Sequence, residues 1–273
     1  MTRTGPAAFG RAYQTMLERD AHALGSVDRV LASSMVRLCE ATAEHLYAAF
    51  TPLDVRYRQG SRPELEAILR SVCSRQDDPD AQVAAIVRFT SGLGDGAEHD
   101  PGRMRLGGTE EAIAKRRSDW CTDVARVACV LTQVAGLPCR LAFLFDLQRA
   151  YKGHVIVEAH RAGRWGALDA NTGVVYTTAD GHPASVWRLM NDPDLIDRHV
   201  QATGAPSSTR DQVSAAGIAN DAVWERERYD YTVSGINDYG RSMLSMAGAR
   251  WPGGIRWLHG EDEGGSGEPA APR

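Results

Sequence analysis

The stretch Ser118-Asp119-Trp120-Cys121-Thr122-Asp123-Val124-Ala125, running on to Gly136-Leu137-Pro138-Cys139-Arg140, decides how this chain is read. Residues 122 to 135 are apolar at helical spacing, Gly136 is a natural stop, and Pro138 blocks any continuation. Ser118 or Asp119 is expected to cap this helix, which puts Cys121 in its first turn. There the unpaired backbone N–H groups and the helix dipole favour negative charge, and a cysteine attacks a carbonyl only as the thiolate. The same N–H groups can hold an oxyanion, so the backbone N–H of Cys121 is a candidate donor. The competing reading is a packing thiol, the usual role of a core cysteine. Cys39, Cys73 and Cys129 suit that role inside apolar helical patterns, and Cys139 suits it at a strand start.

A thiolate needs a base, and the base needs a group to orient it. Residues 140 to 147, 154 to 160 and 164 to 169 read as strands, the last two joined at Ala162-Gly163. With that turn as the centre, Arg161 faces Arg164, His160 faces Trp165, Ile156 faces Asp169 and His154 faces Asn171. Asp169 is then diagonal to His154 on one face of the sheet, roughly 7–8 Å away at Cα. A one-residue slip destroys this arrangement. Asn171 is the fallback orienter because it lies directly opposite. Taken singly, His154 reads as a satisfied strand-end histidine and Asp169 as a turn residue. His160 shares the face but sits near the turn, and Glu158 reads as a salt-bridged supporting group.

Together these blocks resemble the transglutaminase-like superfamily. Asp119-Trp120-Cys121-Thr122-Asp123-Val124-Ala125 with Gly136-Leu137-Pro138-Cys139-Arg140 is similar to its nucleophile helix and following strand. Cys139 stands where a small residue is usual. Gly153-His154-Val155-Ile156-Val157-Glu158 is similar to its histidine strand, and Gly163-Arg164-Trp165-Gly166-Ala167-Leu168-Asp169 to its Gly-x-Trp and terminal Asp. The resemblance spans residues 80 to 176. It implies an α+β, papain-like core, with a nucleophile helix packed on an antiparallel sheet. It also implies a Cys121–His154–Asp169 triad and cysteine-dependent acyl transfer. The acyl donor is then a peptide, amide, ester or carrier-bound thioester, and the acceptor an amine or water. A protease or amidase, and a binding module that keeps the fold without catalysis, are the alternatives. Arylamine acetyltransferases, a related thiol acyl-transfer family, share the order of the triad. The calcium dependence of animal transglutaminases is not carried over, and no cofactor is expected.

Outward from this centre the expectations are coarser. Helices are expected over residues 9 to 24, 26 to 50, from Ser61-Arg62-Pro63-Glu64, from Asp78-Pro79-Asp80, and near 109 to 115. Residues 92 to 108 read as a Gly-rich loop; they follow a helix, so they are no dinucleotide fingerprint. One helix is expected over 185 to 200 and a polar linker over 201 to 215. The chain divides on this reading into an N-terminal helical region (1–78), a catalytic core (79–200), an extension packed on the core (201–258) and a disordered tail (259–273).

The chain has 273 residues, 43% hydrophobic and 24% charged, enough for a sizeable core. Its 31 Lys and Arg against 35 Asp and Glu give a net charge of −4, which argues against a nucleic-acid or anionic-membrane partner. Residues 1 to 10 lack an apolar run, and no segment reaches the length of a membrane span, so a cytoplasmic location with reduced cysteines is expected. Cysteine and histidine spacings do not fit a zinc motif; Cys121 and Cys129 lie about 12 Å apart along one helix. No metal site is expected. The acidic turn Asn191-Asp192-Pro193-Asp194 reads as a solvated helix start.

Overall fold

A computed structural model describes residues 35–48, 53, 55, 57–98, 105–145, 153–204, 208–219 and 256–258. The helix expected over 9 to 24, most of 222 to 258 and the tail from 260 lie outside them. The fold is α+β. Its strands are β1 (Met35–Leu38), β2 (Arg105–Gly107), β3 (Cys139–Phe145), β4 (Gly153–Arg161), β5 (Arg164–Asp169), β6 (Val174–Val175), β7 (Ala215–Ala219) and β8 (Arg256–Leu258). Its helices are α1 (Glu40–Leu46), α2 (Pro63–Val72), α3 (Pro79–Ser91), α4 (Glu110–Arg116), α5 (Cys121–Val134), α6 (Val186–Asn191), α7 (Asp194–Thr203) and α8 (Ser208–Gln212).

Six strands form one sheet in the order β1-β7-β3-β4-β5-β6, antiparallel at every pairing. β2 and β8 form a separate parallel pair. The β4–β5 hairpin turns where the sequence predicts. Ala162 (φ 49°) and Gly163 (φ 73°) both take positive φ, which two-residue hairpin turns of the I′ type require. Arg161 therefore faces Arg164, His160 faces Trp165 and Val157 faces Leu168. One step further, Ile156 comes opposite Asp169.

Side chains alternate across β4, so its two faces enter two cores. Val155, Val157 and Ala159 pack with Val124, Val127, Ala128 and Leu131 of α5, backed by α2 and α3. Ile156 packs on the other face with Val186 and Leu189 of α6 and Leu195 and Ile196 of α7. Every residue of α5 from Thr122 to Val134 is buried, so even its polar side chains must find partners inside the protein.

Four expectations need correction. Residues 35 to 38 form a strand, not a helix, because β1 pairs with the distant β7. Arg105–Gly107 is strand β2 rather than loop. The helix expected over 185 to 200 is two helices, α6 and α7, split where Pro193 interrupts the backbone ladder. Residues 201 to 215 are not a linker: α7 runs to Thr203, and α8 packs on β3, β4 and α7. The sheet thus draws β1 and β7 from outside residues 79 to 200.

Candidate active site

Cys121 is the first residue of α5, as the sequence predicts, but the cap differs. Trp120 stands at the N-cap with no side-chain cap bond. The Ser118 hydroxyl instead accepts the Trp120 N–H (3.2 Å) and donates to the Asp123 carboxylate (3.1 Å). Asp123 draws it because the whole first turn is anchored through that carboxylate. Asp123 also accepts the Gly107 N–H at 3.1 and 3.2 Å and Arg116 Nη2 at 2.9 Å. Behind it, the fully buried Arg126 lies 3.7 Å from Asp123 and 3.0 Å from Glu110, which also receives Arg62 at 2.5 Å. Burial pushes the Asp123 carboxyl up despite Arg116 and Arg126. Burial acts on Glu110 in the same sense, but Arg62 and Arg126 outweigh it and hold Glu110 below its ordinary value.

The Cys121 side chain is half-buried, whereas Cys129 and Cys139 are buried. Its first-turn N–H cannot bond back within the helix, as holds for the first four donors of any α-helix. Facing it is His154, 5% exposed, at the start of β4. His154 Nε2 donates to Asp169 Oδ2 at 2.9 Å across the diagonal of the β4–β5 ladder. The Cys121 thiol lies near enough to add to the upward pull on the ring's pKa, and Nδ1 is the ring nitrogen that Asp169 does not engage. Burial on its own would lower the imidazole pKa. The Asp169 charge and hydrogen bond outweigh burial, Cys121 adds to them, and His154 is raised to about 10.

Asp169 is wholly buried at the end of β5. Its Oδ1 accepts the backbone N–H groups of Asn171 (3.1 Å) and Thr172 (3.2 Å). Its Oδ2 accepts the Thr209 hydroxyl (2.9 Å) as well as His154. Burial pushes this carboxyl up, yet His154 and these donors prevail and hold it below its ordinary value. His154 and Asp169 therefore stand as imidazolium and carboxylate around neutral pH.

Asn171 does not orient the imidazole. Its backbone serves Asp169, and its Nδ2 donates to the Asp119 carbonyl (2.7 Å), tying the end of β5 to the segment before Cys121. His160 stands far along β4 with its ring edge-on to Trp165, centroids 5.5 Å apart. Glu158 is fully buried, paired with Arg140 at 2.7 Å and receiving the Tyr47 hydroxyl and the Val186 N–H. Arg140 in turn lies 3.9 Å over the Trp165 ring. Thr209 escaped the sequence reading, lying in the polar stretch taken for a linker; nothing local marks it. Among the described residues no group of three or more His, Cys, Asp or Glu could hold a metal ion, and no helix is long and apolar enough to cross a membrane.

The family model of the transglutaminase-like superfamily matches residues 66–170, a span from α2 to the residue after Asp169. Comparison with curated proteins and with solved structures gives no match. The motif blocks around Cys121, His154 and Asp169 all fall inside the matched span, and its helix-on-antiparallel-sheet layout is the one described above. Residues 66–170 therefore form a domain of the transglutaminase-like superfamily type.

Proposed function

We propose that this chain is a cysteine-dependent acyl-transfer enzyme in which Cys121 is the nucleophile, His154 the acid–base group and Asp169 the residue that orients it. One observation carries the reading: a half-buried thiol at a helix start shares a buried imidazole with a buried carboxylate. Cys121 attacks as the thiolate, with the His154 imidazolium as its counter-charge. A C–S bond forms to an amide, ester or thioester carbonyl, and the carbonyl electrons move to oxygen. The Cys121 N–H, at the positive end of α5, is the donor for that oxyanion. As the oxyanion collapses, the bond to the leaving group breaks and His154 gives that group its proton. The neutral imidazole then takes a proton from an amine or water, which attacks the acyl-enzyme. The C–S bond breaks, and the thiolate and imidazolium return.

Iodoacetamide labelling of the native protein followed by mass analysis tests this. Cys121 is expected to alkylate at least tenfold faster near neutral pH than the other cysteines, as reactive thiols do beside an imidazolium. A trapped acyl adduct on Cys121 names the substrate class, and Cys121→Ala abolishes both. Equal labelling of all five cysteines in the folded protein rejects the proposal.

A further inference from the structure

Among the side chains that bond Asp169, that of Thr209 lies well beyond the family match, which ends at residue 170. It lies on α8, 40 positions after Asp169 in the chain, and its side chain is fully buried. A threonine hydroxyl buried in a core needs a partner, and this one donates to Asp169 Oδ2 at 2.9 Å. That is the oxygen which receives His154 Nε2, also at 2.9 Å. An ionised carboxylate has about four lone-pair sites. Here all are taken: Asn171 and Thr172 N–H on Oδ1, His154 and Thr209 on Oδ2. The two Oδ1 bonds come from the turn that follows Asp169 and hold one end of the group. The plane of the carboxylate is then fixed at the other end by Thr209, because His154 is the group whose orientation is to be set. α8 packs on β3, β4 and α7, so the hydroxyl is presented from a rigid element.

We propose that Thr209 is a positioning residue of the active centre, its hydroxyl holding the Asp169 carboxylate in the rotation that keeps Oδ2 on His154 Nε2 and Nδ1 towards Cys121. This rests on the reading of Cys121, His154 and Asp169 given above. The titratable groups facing Asp169 are His154 from β4 and, through it, Cys121 from α5. From α8, Arg210 is engaged with Asp197 at the surface. The hydroxyl bond also helps keep the Asp169 pKa low, so its loss moves the acid-side transition of the pair to higher pH.

The test compares Thr209→Val, a near-isostere without the donor, with Thr209→Ser, which keeps it, in the full chain. Two readouts are followed across pH: the imidazole resonances of His154 and the alkylation rate of Cys121. For Thr209→Val the acid-side transition of Asp169, read through the His154 resonances, is expected to shift upward and Cys121 alkylation near neutral pH to slow by about tenfold, the scale of one buried hydrogen bond to a charged group. Thr209→Ser is expected to restore both. A merely structural threonine would lower the melting temperature of Thr209→Val and leave the pH profiles in place; that result overturns the proposal, as does a Ser variant impaired as badly as Val. Should Val not fold, Thr209→Ala is read in the same way. The His154 titration needs no reactive thiol, so an inert Cys121 in the wild type rejects the proposed function while the titration still judges Thr209.

Discussion

Four donors converge on Asp169, and the charge they hold there governs how His154 titrates. The imidazole binds its proton more tightly in the fold, at about 10, than at its ordinary 6.5. Its contribution to stability is therefore complete below 6.5 and is lost as pH rises through about 10. The Asp169 carboxyl is shifted the other way, so its contribution is present above 3.8 and is lost as pH falls through its lowered folded value. Between those ordinary values the pair stabilises most. Asp169→Asn removes the charge that overcomes burial, so the alkaline transition of His154 is expected to move down from about 10 towards or below 6.5. The loss in denaturation midpoint relative to wild type should be large near pH 6 and shrink above pH 10, where His154 is already neutral. A midpoint difference independent of pH would show that Asp169 acts on His154 through packing alone. At this scale Cys121, His154 and Asp169 were legible because a short turn fixes the register and a helix start fixes the thiol. Thr209 was not, because its link to Asp169 is made only by tertiary packing.

At the scale of elements, α5 is the demanding piece. A helix buried all round gains apolar burial but must satisfy Asp123, Arg126, Thr132 and Gln133 inside the core. Thr132 bonds the Ala128 carbonyl and Gln133 the Cys139 carbonyl, both local solutions. Asp123 and Arg126 find their partners on α4, with the Gly107 N–H of β2, and the ionic chain Arg62–Glu110–Arg126–Asp123–Arg116 joins α5 and α4 to the N-cap of α2. Glu110→Leu leaves the Arg126 guanidinium, 0% exposed, without its closest acid. Breaking a buried pair in this way costs about 3–5 kcal/mol, whereas replacing both partners by apolar groups often recovers much of it. Urea denaturation should show that loss for Glu110→Leu and a smaller one for Glu110→Leu with Arg126→Met. If the double variant falls by the sum of the two single losses, the residues are not coupled. The helices α2 to α5 could be read from Pro63, Pro79, Thr109 and the apolar run after Cys121, since start signals are local. β1 and β2 could not, because each short strand is made by a partner more than a hundred residues away.

On the scale of the whole molecule, the family match ends at residue 170 but the sheet does not. β7 lies between β1 and β3, so it carries two ladders at once and closes the edge of the strand that leads to β4. Val213, Ala216 and Ile218 add their side chains to the core that holds Ile156, α6 and α7. A chain cut after Gly204 keeps Cys121, His154 and Asp169 yet loses β7, α8 and the Thr209 hydroxyl. β3 then presents an unpaired apolar edge, the kind of surface that recruits other chains. Such a truncated chain is expected to lose its cooperative thermal transition and to elute as aggregates in size-exclusion chromatography. The argument turns on β7 being internal rather than peripheral. A strand added at the rim could be removed at little cost, and the truncated chain would then melt as sharply as the intact one, within a few degrees of it. That outcome would mean that β3 to β6 with their helices form an autonomous unit, and that the segments after Gly204 serve the site only through Thr209.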